Sequence, residues 1–312
     1  MARKLRIHFP GAVYHVMLRG NAGEDIFFSD ADRYRFYLIL QESIEKFDFR
    51  IHGFCCMTNH IHLISQVGKI PLSSILQNIS QRYTTWINST RHRTGHVFQG
   101  RYKAIVVEAN SYLIPLLRYV HRNPIRSRMV ENAVDYPWSS HSAYLGREYL
   151  PWLTTDYVLS MFSDRENIAR DRYRAFFDEA LEEGKKSEYH CGTYDGRILG
   201  DDTFADEVLS KARQHTLPKF TCEDVLTAVC RHFKISAEEL RSPGKSRHYS
   251  EARAVAALIV RETSHLSITN LARLLDRDVS VLGRSVLHIM EMADAGIAAC
   301  IEEIKAELNS RN

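Results

Sequence analysis

The chain has 312 residues, 45% hydrophobic and 25% charged, with a formal net charge of +3, the composition of an ordinary globular protein long enough for two or three separately packed domains. No apolar run approaches the ~20 residues that span a bilayer, and the basic start, Met1 to Gly11, lacks the apolar stretch of a secretory signal, so no membrane partner is expected and the location reads as cytoplasmic. Six cysteines, at 55, 56, 191, 222, 230 and 300, show no repeated CxxC spacing, so they read as reduced core residues, and neither a zinc cage nor a disulfide framework is expected.

The first segment, 1–145, reads as alternating strands and helices. Ala12 to Arg19 is β-rich, and Asp30 to Lys46 has helical periodicity with Tyr34, Tyr37, Leu38 and Ile44 on one side. Arg50 to Met57 and His60 to Val67 are short apolar runs separated by Thr58-Asn59, the pattern of an antiparallel hairpin. Pro71 opens a second helix reaching about Asn88; Ala104 to Val107 is another strand, and Asn110 to Asn123 another helix that Pro124 closes off. The order βαββαβα fits an α+β sandwich with its helices on one face of a sheet.

The segment 146–216 reads as an acidic helical connector, punctuated at Gly184, Gly192, Gly196 and Gly200. From 217 to 312 the chain is helical. Thr221 is placed to cap one helix, and a basic loop, Pro243 to Tyr249, leads into another that runs to Glu262. Ser267 heads the short helix ITNLARLL, and Asp276-Arg-Asp turns into a helix over Val279 to Met292. Two short helices joined by about three residues outline a helix-turn-helix.

Charge is segregated along these segments. Residues 1–145 carry 18 Lys/Arg against 10 Asp/Glu, 146–216 carry 10 against 15, and 217–312 carry 13 against 13. No carboxylate side chain occurs between Asp48 and Glu108, although Arg50, Lys69, Arg82, Arg91, Arg93, Arg101 and Lys103 all fall there. Such a stretch suits a surface beside phosphates, since each misplaced carboxylate would repel a polyanion.

His60-Ile61-His62 sits on a predicted strand, so both imidazoles emerge on one face while Ile61 enters the core on the other. Two neutral imidazoles so placed can grip one metal ion. On the helix ahead of Pro124, Tyr119 and Asn123 are four residues apart and share a face. Tyr119 then presents its hydroxyl to a phosphate while Asn123 offers a carbonyl oxygen to the same metal. A tyrosyl phosphoester is stable yet reversible by an incoming 3′-hydroxyl. Glu108 is an alternative metal ligand. Tyr102 and Tyr112 are rival nucleophiles, but Val106 and Leu116 stand where a polar partner would be needed. Arg19, Arg91, Arg93, Arg101 and Lys103 are candidate DNA contacts, the last two against the alternative of a solvated strand edge.

FPGAVYHVMLRGN, MTNHIHLI, GHVFQGRYKA, YVHRNPIRSRMV and WSSHSAY, in order across the first ~145 residues, resemble the transposases associated with repetitive extragenic palindromes, a branch of the HUH tyrosine nucleases. The resemblance implies a ferredoxin-like α/β sandwich, His60 and His62 as a metal-binding pair, Asn123 as third ligand and Tyr119 as nucleophile. It also implies Mg²⁺ or Mn²⁺ as cofactor, hairpin-bearing single-stranded DNA as substrate and a 5′-phosphotyrosine intermediate. From about Phe220 to Ile289 the chain resembles the C-terminal DNA-binding domain of the replication initiator DnaA. By that likeness Lys245, Arg247, His248, Arg253, Arg277 and Arg284 are candidate contacts to duplex DNA. Val279-Ser280-Val281 departs from the initiators' base-touching His-Thr-Thr run, so their sequence preference does not transfer. A non-catalytic DNA-binding regulator is the alternative function, and a protein–protein module the alternative for the last segment. The oligomeric state is not legible.

Overall fold

The structure, a computed structural model, describes residues 6–179, 186–216, 220–244, 246–263, 266–292 and 295–310. They fall into two compact units, Met1–Arg213 and Gln214–Asn312. Residues 146–213 therefore pack into the first unit and do not stand apart as a connector. Within that unit the elements run β1 (Val13–Arg19), α1 (Asp30–Phe47), β2 (Arg50–Cys56), β3 (His60–Gln66), α2 (Leu72–Thr90), β4 (Lys103–Val107), α3 (Ala109–His121), α4 (Asn123–Arg126), α5 (His141–Tyr144), α6 (Asp156–Leu159), α7 (Glu166–Asp178), α8 (Glu188–Cys191) and β5 (Ile198–Leu199), with α9 (Asp202–Thr216) reaching the boundary.

The sheet has the order β2-β3-β1-β4-β5, antiparallel except where β5 joins β4. This is the strand order of a ferredoxin-like sandwich, with α1 and α2 together on one face. Tyr14, Val16, Leu18, Ile61, Leu63 and Val106 pack against that pair. The alternate residues Val13, Ile64, Ile105 and Val107 pack instead with α3 and with Tyr144, Tyr173 and Phe177. Helices thus cover both faces, not one. The physical reason is that the second face, although it carries His15, His60 and His62, also carries Val13, Ile64, Ile105 and Val107, so leaving it bare would put both apolar surface and the buried imidazoles in water.

Two helix readings change. On α1, Tyr34 and Leu38 are 61% and 50% exposed, while Phe36, Tyr37, Ile39, Leu40 and Ser43 form the buried stripe. Pro124 does not stop the helical path. After a joint at Arg122 (φ −85°, ψ 0°) it lies in the first turn of α4, where a missing N–H costs no hydrogen bond.

The second unit is helical: α10 (Cys222–Phe233), α11 (Ala237–Arg241), α12 (Arg247–Glu262), α13 (Ile268–Leu275), α14 (Val279–Met292) and α15 (Ala295–Ser310) enclose a core centred on α12. Thr221 caps α10 by accepting from the Asp224 N–H, whose carboxylate accepts back from the Thr221 N–H. The turn between α13 and α14 uses Asp276 in the left-handed region (φ 53°) and Asp278 as acceptor from the Ser280 N–H at 2.7 Å, completing a helix-turn-helix. Among the described residues no helix is long and apolar enough to cross a membrane. All six cysteines are free; Cys55, Cys56 and Cys222 are buried, but Cys191 is exposed and so is not a core residue.

Close approach of α3 to the sheet depends on Gly53 of β2, where an added Cβ would come within 2.5 Å of Leu117 Cδ1. Gly53→Val should therefore push α3 outward and cost about 1–3 kcal/mol. An unchanged denaturation midpoint would show that α3 is not seated as described.

Candidate active site

The β1–β3 register pairs Arg19 with His60 and Met17 with His62, so both histidines rise on the face covered by α3. Their rings meet edge to face, centroids 5.2 Å apart. His60 is half-buried, with Nδ1 2.7 Å from Asn59 Oδ1, and Asn59 Nδ2 donates to the Gly23 carbonyl at 3.1 Å. His62 is buried, with Nδ1 2.9 Å from Nε2 of His15, a β1 residue whose own Nδ1 lies 2.9 Å from the Tyr189 carbonyl of α8. Burial pushes the His15 pKa down to about 3 and the His60 pKa to about 4, the latter helped by the Arg19 charge. His62 is also held well below its usual range, first by burial and then by the neighbouring histidines. All three are neutral near pH 7, the form in which imidazole binds a metal. The His62 and His60 rings use Nδ1 for their hydrogen bonds, to His15 and to Asn59, which leaves Nε2 of each as the nitrogen available to a cation.

Tyr119 rises from the last turn of α3. Its ring centroid is 6.3 Å from that of His62, and its hydroxyl is 2.5 Å from His190 Nε2. Tyr189 packs on the ring at 4.7 Å, and the Arg126 guanidinium lies over it at 3.9 Å, donating also to the Tyr119 carbonyl at 2.6 Å. Burial raises the pKa of the phenol, with the Arg126 charge and hydrogen bond opposing. Tyr119 is only 2% exposed. Asn123 is buried, and its Nδ2 donates to the Tyr119 and Val120 carbonyls at 3.3 and 3.0 Å. Because carbonyls only accept, the amide nitrogen must face them, which turns Oδ1 away as a free acceptor. Below, His121 is clamped by Tyr173 Oη at 2.7 Å and Ser140 Oγ at 2.6 Å, anchoring the end of α3.

The alternatives are placed elsewhere. Glu108 is the N-cap of α3, at the opposite end from Tyr119, ~16 Å along the helix. Among the described residues no three His, Cys, Asp or Glu side chains are grouped to hold a metal, so Glu108 does not join the histidines. The Tyr102 ring lies under Arg6 at 3.5 Å with its hydroxyl buried.

The candidate DNA contacts divide. Arg19 is exposed, and Arg101 and Lys103, with Arg6, His8, Tyr102 and Arg197, line a basic cavity of about 490 Å³. Arg91 is instead tied to the buried carboxylate of Asp32 at 2.9 Å, and Arg93 to Glu24 at 2.6 Å. In the second unit Arg253 is buried, donating to the Leu240, Ser242 and Gly244 carbonyls at 2.8, 2.7 and 3.1 Å, so it shapes the basic loop from within. Arg277 reaches the same loop at the Arg241 and Ser242 carbonyls. Arg247, His248 and Arg284 are exposed, and Lys245 lies outside the described residues.

His15, Tyr189 and His190 were not singled out from sequence. His15 had a usable signal: it shares its strand face with Met17, the residue opposite His62. Tyr189 and His190 had none, because only folding brings a glycine-punctuated acidic segment to Tyr119.

Residues 9–123 match the family described as Transposase IS200 like, and residues 222–289 match Bacterial dnaA protein helix-turn-helix. Curated relatives include the chromosomal replication initiator protein DnaA of Campylobacter jejuni, 28% identical over 117 residues, covering 36% of this chain and 27% of the relative. DnaA of Wolinella succinogenes is 25% identical over 112 residues, covering 35% and 26%. The chain thus spans about a quarter of the length of these relatives. A solved REP-associated tyrosine transposase bound to a REP hairpin aligns with 16% identity and a TM-score of 0.42, over 48% of this chain and 89% of that one.

The neutral histidines make stability depend on pH. A histidine whose folded pKa lies below its unfolded value of 6.5 adds stability that is complete above pH 6.5 and is lost as pH falls toward the folded pKa. With His15 near 3 and His60 and His141 near 4, the first unit should melt at progressively lower temperature from pH 6.5 down to about 4. A flat melting temperature between pH 6.5 and 5, above the carboxylate range, would contradict the neutral cluster.

Proposed function

We propose that this chain, carrying an IS200-like transposase domain at residues 9–123 and a DnaA-type helix-turn-helix domain at 222–289, cuts and rejoins single-stranded, hairpin-bearing DNA with Tyr119 as nucleophile. The observation that carries the reading is the neutral pair His60 and His62 on one strand face, with the Tyr119 ring 6.3 Å from that of His62. Of the two ions the resemblance implies, a donor set of two imidazole nitrogens and the Asn123 Oδ1 would fit Mn²⁺ better than Mg²⁺, which prefers oxygen ligands throughout. Bound there, such an ion supplies polarisation of the phosphoryl group.

The chain's own residues do the rest. Arg126 holds α3 and α4 together at the nucleophile and is the cation nearest the phenol. His190 Nε2 accepts the hydroxyl proton as the Tyr119 oxygen attacks phosphorus. The bond from phosphorus to the 3′-oxygen breaks, and that oxygen leaves as a hydroxyl with a proton taken from its surroundings. The product is a 5′-phosphotyrosine, which an incoming 3′-hydroxyl reverses. Arg19, Arg101 and Lys103 offer positive charge to the strand backbone, and the helix-turn-helix unit holds duplex DNA through its exposed basic residues.

One observation favours the second reading, a non-catalytic DNA-binding regulator. Tyr119 is enclosed by Tyr189, His190 and Arg126, so a phosphate must displace part of that shell to reach the hydroxyl. Incubation with a hairpin-bearing oligonucleotide and Mn²⁺ separates the two. Wild type should form a covalent protein–DNA adduct, and Tyr119→Phe and His60→Ala should form none; no adduct from wild type, or one undiminished in Tyr119→Phe, would sink the enzyme reading. For the second unit, Arg247→Ala should weaken duplex binding about equally across sequences and lower the salt slope by about 1. Arg253→Ala should lower the melting temperature of the unit instead. The reverse assignment of these two phenotypes would overturn their placement.

A further inference from the structure

Two histidines of the candidate site are each oriented by a neighbour that faces a main-chain carbonyl, and Asn123 faces two carbonyls directly. A carbonyl oxygen has lone pairs and no proton, so any side-chain nitrogen hydrogen-bonded to it carries the hydrogen. Applied to His15, whose Nδ1 is 2.9 Å from the Tyr189 carbonyl, this places the hydrogen on Nδ1. His15 is fully buried and its two ring partners are a carbonyl and an imidazole, neither of which would hold an imidazolium, so its Nε2 is then a bare acceptor. The atom 2.9 Å away is His62 Nδ1, which must be the donor. A neutral His62 with its hydrogen on Nδ1 has a bare Nε2.

The same logic holds independently on the other ligand. Asn59 Nδ2 donates to the Gly23 carbonyl, which fixes the amide and leaves Oδ1 to accept from His60 Nδ1 at 2.7 Å. His60 too is left with a bare Nε2. Asn123, its nitrogen facing the Tyr119 and Val120 carbonyls, offers Oδ1.

We propose that His15 and Asn59 are positioning residues that set the tautomers of His62 and His60, so that both Nε2 lone pairs are directed at a divalent cation before it arrives. The proposal rests on the reading that these histidines bind metal. It gives the tyrosine's own neighbour, Tyr189, two roles at once, because its ring packs on Tyr119 while its carbonyl, through His15, orients the ligand beside it. The acidic segment would then organise both halves of the site. A histidine free to exchange tautomers spends part of its time with a hydrogen on the ligating nitrogen, and loss of such supporting partners typically weakens metal binding about 10–100-fold.

Two measurements on the full chain test this. Imidazole ¹⁵N spectra of the metal-free wild type at pH 7 should show the hydrogen on Nδ1 of His15, His60 and His62; a hydrogen on Nε2 of His62 would overturn the proposal. Titration with Mn²⁺, followed by loss of the free-ion paramagnetic resonance signal, should show His15→Leu binding about 10–100-fold more weakly than wild type. His15→Gln, whose amide oxygen is an acceptor at the reach of the lost Nε2, should recover most of the affinity. Asn59→Ala should show a loss comparable to that of His15→Leu. Wild type that binds Mn²⁺ while folded His15→Leu binds it equally well overturns the positioning role alone. Wild type that binds no Mn²⁺ overturns the metal reading beneath it.

Discussion

Desolvation of the strand face beneath α3 governs the first unit. His15, His62 and His121 are almost wholly removed from water, among Leu, Val, Ile and Tyr side chains. An imidazolium there would lose its hydration with no carboxylate beside it, so the rings are neutral, and the ring nitrogens of His15 and His121 are met by protein partners. Those partners come from far along the chain: the Tyr189 carbonyl for His15, and Tyr173 and Ser140 for His121. Tyr173, Tyr189 and His190 are consequently part of the site's wall. Without the segment that carries them, His15 Nδ1 would lose its carbonyl partner and the face would keep α3 alone as its cover.

What the sequence made legible follows the range of the physics. The placement of His60 and His62 on one face needed only the two-residue repeat of a strand, and the helix-turn-helix needed only its turn chemistry. Those are local and were readable. The buried stripe of α1 was not, since two helical stripes compete in Asp30 to Lys46 and the sheet selects the one with Phe36, Ile39 and Leu40. Pro124 marks where a regular helix is interrupted, yet it cannot report that the chain resumes a helical turn across the joint. Tyr189 and His190 meet Tyr119 across about seventy residues, a distance over which periodicity carries no information.

Basic residues show the same limit most sharply. A run of Arg and Lys records charge but not which carboxylate or carbonyl each will meet. Arg91 reaches Asp32 and Ser29 at the start of α1, which pairs its charge although the side chain stays exposed. Arg253 and Arg277 converge on the carbonyls of residues 240–244. Their hydrogen bonds tie down the carbonyls of residues 240–242 and 244, and α12 begins at Arg247 with Arg247 and His248 exposed. A segment held from within loses less freedom on meeting a polyanion than a slack one, so on the proposed reading buried Arg253 and half-buried Arg277 would support binding without touching the ligand.

The desolvation that suits the histidines works against the phenol. For His60 and His62 burial favours the neutral form, the one that binds metal; for Tyr119 burial also favours the neutral form, the one that is a weak nucleophile. Arg126, stacked on the ring, offsets part of that penalty by favouring the phenolate, but burial still prevails and the pKa stays raised. Strand cleavage at such a tyrosine cannot begin from a standing phenolate. Its proton has to leave as the new bond forms, and that requires an acceptor already in contact with the hydroxyl. His190, 2.5 Å away, occupies that position. On the proposed reading, the contact that encloses Tyr119 is also the one its chemistry would need, which would tie access to the hydroxyl and its activation to the same short helix.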